Sequence, residues 1–261
     1  MSIHPTAIVA EGAKVPASCK VGPFCTIGPN VVLGEDCELI SHVVLEGHLT
    51  MGSKNRVSPF TCIGIAPQDL KYAGEPTSVR IGDNNTIREY VTISRGTTGG
   101  GGLTALGSNC LLMASAHIGH DSQVGSNCIL ANAATLAGHV VIEDFAVVGA
   151  FSAVHQFCRV GRHAYIGGGT MVTQDVLPYS LTSAERNNRS YGLNKVGLQR
   201  RGFTPEQIKQ LRNAYRLLLS SKLNTAQALE AIRKSMTEGT ADEHVIYFAD
   251  FIANSQRGII K

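Results

Sequence analysis

Large apolar residues recur every six positions along most of this chain, and that period constrains the fold more than any other feature. Ile3, Val9, Val15, Val21, Ile27, Leu33, Leu39, Leu45, Met51, Val57 and Ile63 keep the step without a miss. After an interruption it returns at Ile81, Ile87 and Ile93, and it runs again from Leu106 through Ile118, Leu136 and Val154 to Val172. Helices and alternating strands have shorter periods, so the pattern belongs to a repeat architecture. The next residue is often glycine, as at Gly22, Gly28 and Gly34, and the fourth residue on is small, as at Ala7, Cys19 and Cys37. The apolar residue reads as interior filling, the glycine as close backbone approach or positive φ, and the small residue as the occupant of a tight corner.

Each unit of six is thus one short strand and one turn. Three units closing a triangular coil make residues eighteen apart vertical neighbours at about 4.8 Å, the spacing of paired parallel strands. The pattern resembles the hexapeptide-repeat, left-handed parallel β-helix, and the hand comes from that resemblance alone. The fold class is therefore mainly β, with a small C-terminal α-helical domain. Past Pro178 the beat stops, and a capping-box start at Thr204, Pro205 and Gln207 leads into Ile208, Leu211, Tyr215 and Leu218 at helical spacing. A second helix opens at Asn224 or Thr225 and is expected to end at Gly239, and a third covers about Asp242 to Ala253. The expected domains are 1–183, a β-helix with a loop inserted at 64–80, and 184–261, the helical part.

Six of the seven cysteines (Cys19, Cys25, Cys37, Cys110, Cys128, Cys158) fall at the small corner position, where a thiol is a compact apolar filler. Their odd number, and the lack of an export signal or of an apolar run long enough for a bilayer, predict free thiols and a cytoplasmic location. None has the spacing of metal ligands.

Three features carry chemistry. The first is the pair of breaks in the beat. One, 64–80, is read as leaving Ile63 and Ile81 one coil apart while the loop bulges outward; the other, Gly99–Gly102, reads as a flexible glycine loop. The second is a set of histidines: His120, His139 and His155 follow beat positions on successive coils by two, three and one residues, so they line one edge, with His117 just before the same turn. Gathered imidazoles suit general acid–base work near neutrality, or alternatively zinc; the spacing favours the former, and no metal or cofactor is expected. The third is charge. Eight basic residues between Arg186 and Arg216 face one acid, Glu206, in a chain of net charge only +3. That concentration suggests an anionic ligand or acidic partner; nucleic acid is the weaker candidate, since no recognised motif accompanies it.

Five runs, QDLKYAGEPT from Gln68, AHIGHD from Ala116, CILANAATLAGHV from Cys128, AVHQFC from Ala153 and QRRGF from Gln199, resemble the UDP-N-acetylglucosamine O-acyltransferases of lipid A biosynthesis. That resemblance implies transfer of a (3R)-3-hydroxyacyl chain from acyl carrier protein to the 3-hydroxyl of the sugar, in a homotrimer with active sites between subunits. It implies His120 as general base, Asp121 as its orienting partner and the Gly138 N–H as oxyanion donor. It places Asp69, His139, His155 and Gln156 around the sugar, with Gln68 beside them in the loop. Lys71, His117, Asn194, Arg200 and Arg201 go to the phosphates, the nucleotide or the carrier protein, and Gly168 to the end of the acyl chain. Ser94 stands where many relatives have histidine and Val196 where glutamate is common, which leaves the 3-amino sugar nucleotide open as an alternative acceptor. The other rival, a zinc-dependent enzyme like the γ-class carbonic anhydrases, shares the fold.

Overall fold

In the computed structural model, which describes residues 2–183, 189–219, 222–236 and 242–261, the chain winds into a triangular prism of three parallel sheets. The first face runs from Ser2–Ile3 through Lys20–Val21 and Glu38–Leu39, the second from Ile8–Val9 through Thr26–Ile27, and the third begins at Val31–Leu33 and His48–Met51. Regular coils stack eighteen residues apart, as in Val21 with Leu39, Ile27 with Leu45 and Leu136 with Val154. Every beat residue from Val21 onward is buried in one continuous core. Because successive side chains of a strand point to opposite sides, the residue before each beat position lies on the outer surface.

Two expectations about the repeat are corrected. Apart from Gly64 (φ 79°), the glycines after beat positions do not have positive φ; most left-handed residues are those three after the beat, among them Phe24, Asp36, Asp121, His139 and His163. Glycine is needed for closeness instead: a Cβ at Gly22 would lie 1.7 Å from the carbonyl oxygen of Ile40 in the next coil. Nor do Ile63 and Ile81 stack. Ile63 pairs with Leu45 and Ile93 on the second face, Ile81 with Met51 and Leu106 on the third. The first loop leaves at the corner between those faces and lengthens its coil, so Val57 pairs with Ile87, thirty residues on. The second break lengthens the next coil less, pairing Ile87 with Leu112, twenty-five residues on.

At the corner between third and first faces, the enlarged coils are tied by buried asparagines. Asn55 Nδ2 donates to the carbonyls of Gly52 and Gly82, its Oδ1 accepts from the Asn85 backbone and side chain, and Asn85 Oδ1 accepts from the Cys110 N–H at 2.8 Å. Asn85→Ala strands the Cys110 N–H in the core and should cost about 2–3 kcal/mol, seen as a lowered calorimetric melting temperature. All seven cysteines are free thiols.

The last strand of the first face, Ser180–Ser183, pairs antiparallel with Arg189–Leu193. Among the described residues four helices follow: α1 (Lys195–Arg200), α2 (Pro205–Leu219), α3 (Thr225–Met236) and α4 (Glu243–Ala253). Reciprocal bonds between Thr204 and Gln207 and between Asn224 and Gln227 cap α2 and α3, and Asp242 caps α4. The residue expected to end α3, Gly239, lies outside the described residues, as do Arg186 and most of the segment before Ser190. Helix α1 and the antiparallel strand were not legible from periodicity, being too short to show one. Leu198, Leu211, Tyr215, Ile232 and Phe248 form their own core beneath Leu177 and Tyr179. Among the described residues no helix is long and apolar enough to cross a membrane.

Candidate active site

The corner between the second and third faces gathers the histidines and both loops. His120 and Asp121 occupy adjacent positions there, and Gly138 and His139 repeat them one coil later. Asp121 and His139 are the left-handed corner residues, with φ of 60° and 61°. That turn swings the carboxylate of Asp121 back under His120: its Oδ2 lies 2.8 Å from His120 Nδ1. The His139 ring packs edge-on to His120 with centroids 5.1 Å apart, and is backed by the stacked ring of Phe157.

The segment at the second break supports this pair. Thr98–Gly100 forms a 3-10 turn, and Thr97 donates its N–H to both carboxylate oxygens of Asp121, at 2.9 and 3.1 Å, and its hydroxyl to Oδ2 at 2.7 Å. Only glycine fits at position 100, where a Cβ would lie 2.1 Å from Asp121 Cγ. Burial alone would raise the Asp121 pKa, but the hydrogen bonds from Thr97 and His120 and the neighbouring His139 outweigh it and hold the carboxyl below its ordinary value. An ionised Asp121 can only accept, so the shared proton sits on His120 Nδ1 and Nε2 is left as a base. Thr97 was missed in the sequence because nothing local marks it; its contact is twenty-four residues away.

His120, Asp121 and His139 offer three possible ligand atoms within 4.8 Å of one another. Asp121 Oδ2, the oxygen nearest both rings, already accepts from the Thr97 hydroxyl and faces His120 Nδ1, so the protein itself uses the pair as a hydrogen-bonded unit.

Around it, His117 bonds Thr92 Oγ1 through Nδ1 at 2.7 Å, and burial followed by the neighbouring His120 lowers its pKa. His155 and Gln156 lie at the same corner one coil above Gly138. The loop carrying Gln68, Asp69 and Lys71 leaves from this corner too, pinned by Arg95, which donates to Tyr72 Oη (2.8 Å) and to the Gly64 carbonyl, and by Glu75 accepting from Thr98. Ser94 is buried, and its hydroxyl has no hydrogen-bond partner among the described residues.

Two groups of expected site residues lie elsewhere on the chain. Gly168 is exposed at the corner between first and second faces, near the exposed Phe151 and Met171. Asn194, Arg200 and Arg201 line a cavity of about 730 Å³ between α1 and the outer side of the first face, floored by Ile129, Val147 and Tyr165; Val196 lines it too. In a triangular prism that face is opposite the His120 corner. The cavity is braced by a stack in which Arg201 lies over Phe145 (4.7 Å), Phe145 over His163 (4.7 Å) and His163 under Tyr179. Burial, helped by Arg201, His244 and Arg162, lowers the His163 pKa to about 4.

His163 therefore stays neutral in the folded chain while an unfolded chain takes up its proton below about pH 6.5. Stability should fall as the pH drops from there toward 4. His163→Phe should reduce that loss by about 1–2 kcal/mol once solvent screening is allowed for, measured from urea midpoints at pH 7 and pH 4.5.

A β-helix of hexapeptide repeats with an oriented histidine–aspartate pair at one corner is the architecture of a hexapeptide-repeat acyltransferase. Residues 175–260 match the family model described as UDP N-acetylglucosamine O-acyltransferase, domain 2, and residues 104–138 match the bacterial transferase hexapeptide model. The UDP-N-acetylglucosamine acyltransferase of Francisella novicida is 43% identical over 99% of this chain and 93% of its own, with a TM-score of 0.95. The UDP-N-acetylglucosamine O-acyltransferase of Moraxella catarrhalis is 39% identical over the whole of both chains (TM-score 0.94), and the Arabidopsis UDP-N-acetylglucosamine acyltransferase 34% identical over 99% of this chain and 100% of its own (TM-score 0.84). This chain belongs to the UDP-N-acetylglucosamine O-acyltransferase family.

Proposed function

We propose that the chain transfers a (3R)-3-hydroxyacyl group from the thioester of acyl carrier protein to the 3-hydroxyl of UDP-N-acetylglucosamine, the first step of lipid A biosynthesis. The observation that carries the mechanism is the 2.8 Å bond between His120 Nδ1 and Asp121, which leaves Nε2 as the free base. His120 Nε2 takes the proton of the sugar hydroxyl as its oxygen attacks the thioester carbonyl. The Gly138 N–H, which makes no hydrogen bond among the described residues, meets the oxyanion. Collapse breaks the C–S bond, and the departing thiolate takes the proton from His120. No covalent enzyme intermediate is needed in this reading.

His139, His155, Gln156 and Asp69 surround the sugar in this reading, and Lys71, His117, Asn194, Arg200 and Arg201 meet the phosphates, the nucleotide or the acidic carrier. Because the first-face cavity and Gly168 lie off the His120 corner, one chain cannot assemble the set. A homotrimer with sites between copies brings a neighbour's cavity to that corner. The exposed rings of Phe24, Phe60 and Tyr90, aligned with His42 between the first two along the edge between first and second faces, supply apolar surface for such contacts. A cytoplasmic location accords with the free thiols.

The test offers carrier proteins bearing 3-hydroxyacyl chains of several lengths with UDP-N-acetylglucosamine or its 3-amino analogue and weighs the products. An ester on UDP-N-acetylglucosamine supports the proposal. An amide formed from the 3-amino sugar alone reassigns the acceptor, and no acylated sugar nucleotide from either overturns the reading.

A further inference from the structure

The C-terminal tail returns to the histidine corner. After α4, Ser255 Oγ donates to Asp175 Oδ2 at 2.7 Å, the Asp175 N–H donates to the Gly258 carbonyl at 2.8 Å, and the Ile260 N–H donates to the Asp175 carbonyl at 2.9 Å. Asp175 is itself buried and also accepts from the Arg159 N–H at 2.8 Å. The tail is thereby sewn as an extra parallel rung, Asp175 to Ile259, onto the last coil. This holds the side chain of Arg257 beside His155, with Nη2 3.3 Å from His155 Nδ1. No carboxylate among the described residues pairs with Arg257.

A guanidinium has donors only. Its contact with His155 Nδ1 is a hydrogen bond only when that nitrogen carries no proton, and the ring proton then sits on Nε2. A second neighbour competes. The backbone carbonyl of Gln156 lies 3.1 Å from the same Nδ1 and, as an acceptor, favours the opposite tautomer. Removing the guanidinium would leave that carbonyl as the remaining partner, so Nδ1 would take the proton and Nε2 would become an acceptor. The sign of the hydrogen bond that His155 can offer a substrate thus depends on the residue at 257.

We propose that Arg257 is a positioning residue: from the sewn-on tail it fixes His155 in the Nε2–H tautomer, so that the ring donates to an oxygen of the sugar nucleotide. This rests on the reading of His155 as a sugar-nucleotide residue. It also gives the tail a task at the site, although Arg257 lies more than a hundred residues along the chain from His155.

The test is read first by spectroscopy. Full-length protein labelled with ¹⁵N in its histidine rings, with the His155 signals assigned by their loss in His155→Gln, should show Nε2–H in the wild type and Nδ1–H in Arg257→Met. Arg257→Lys, which keeps a donor, should restore Nε2–H. Equilibrium affinity for UDP-N-acetylglucosamine, measured by calorimetry, should fall about fivefold in Arg257→Met, the size of one lost hydrogen bond, and recover most of the way in Arg257→Lys. Lys261→Met, at the exposed end of the same tail, serves as the control and should leave both readings unchanged. The same tautomer in wild type and Arg257→Met overturns the proposal, as does Nδ1–H in the wild type. If the tautomer shifts as expected but the wild type binds no sugar nucleotide, it is the functional reading that fails.

Discussion

His120→Ala should lower the rate of acyl transfer by about 10³-fold, within the range that a positioned general base supplies, with unchanged folding. The expectation follows from the corner. Asp121, hydrogen-bonded by Thr97 and held below the ordinary carboxyl pKa, is the partner of His120 Nδ1, so deleting the imidazole leaves no other ring among the described residues in that oriented relation. His139 Nε2 stands 4.0 Å from the same oxygen and stacks on Phe157, which does not replace the bond. Steady-state kinetics of the purified variant, beside its circular dichroism and melting curve, give the answer. Activity within about tenfold of wild type would remove His120 from the role of base.

Gly138→Ala is expected to lower kcat by about 10²-fold while moving the unfolding free energy by less than about 1 kcal/mol. Gly138 sits directly over His120. A Cβ there would lie 2.6 Å from His120 Cε1 and Nε2, so the ring that must receive the sugar proton has to swing away. Its φ is not left-handed, so alanine suits the backbone and the coil keeps its register. The N–H assigned to the oxyanion moves with the same adjustment. A variant that melts like the wild type yet is as active would show that neither the ring nor the N–H is needed where it stands.

Much of this was legible in the sequence because a solenoid turns distance along the chain into position. The six-residue beat predicted a triangular coil, and counting by eighteen put His120, His139 and His155 on one edge; Gly138 and Asp121 came from the resemblance alone. What stayed hidden has two causes. Where the coil is lengthened the count fails: the return of the beat at Ile81 told that a loop intervenes but not that Ile81 had moved to the next face, since a loop of any multiple of six preserves the phase. Contacts between such loops and the corner carry no periodic signal either, which is why Thr97 and Gly100 behind Asp121, and Arg257 beside His155, emerged only from the three-dimensional arrangement. The resemblance named Asn194, Arg200, Arg201 and Gly168, but only the prism showed that they face away from His120.

The most direct measurement of direct transfer at the His120 corner is a single turnover followed by intact-mass spectrometry, with enzyme in excess over 3-hydroxyacyl carrier protein and UDP-N-acetylglucosamine present. The predicted result is acylated UDP-N-acetylglucosamine accumulating while the mass of the protein stays that of the unmodified chain at every time point. A protein-bound acyl group that forms and decays ahead of product would contradict it.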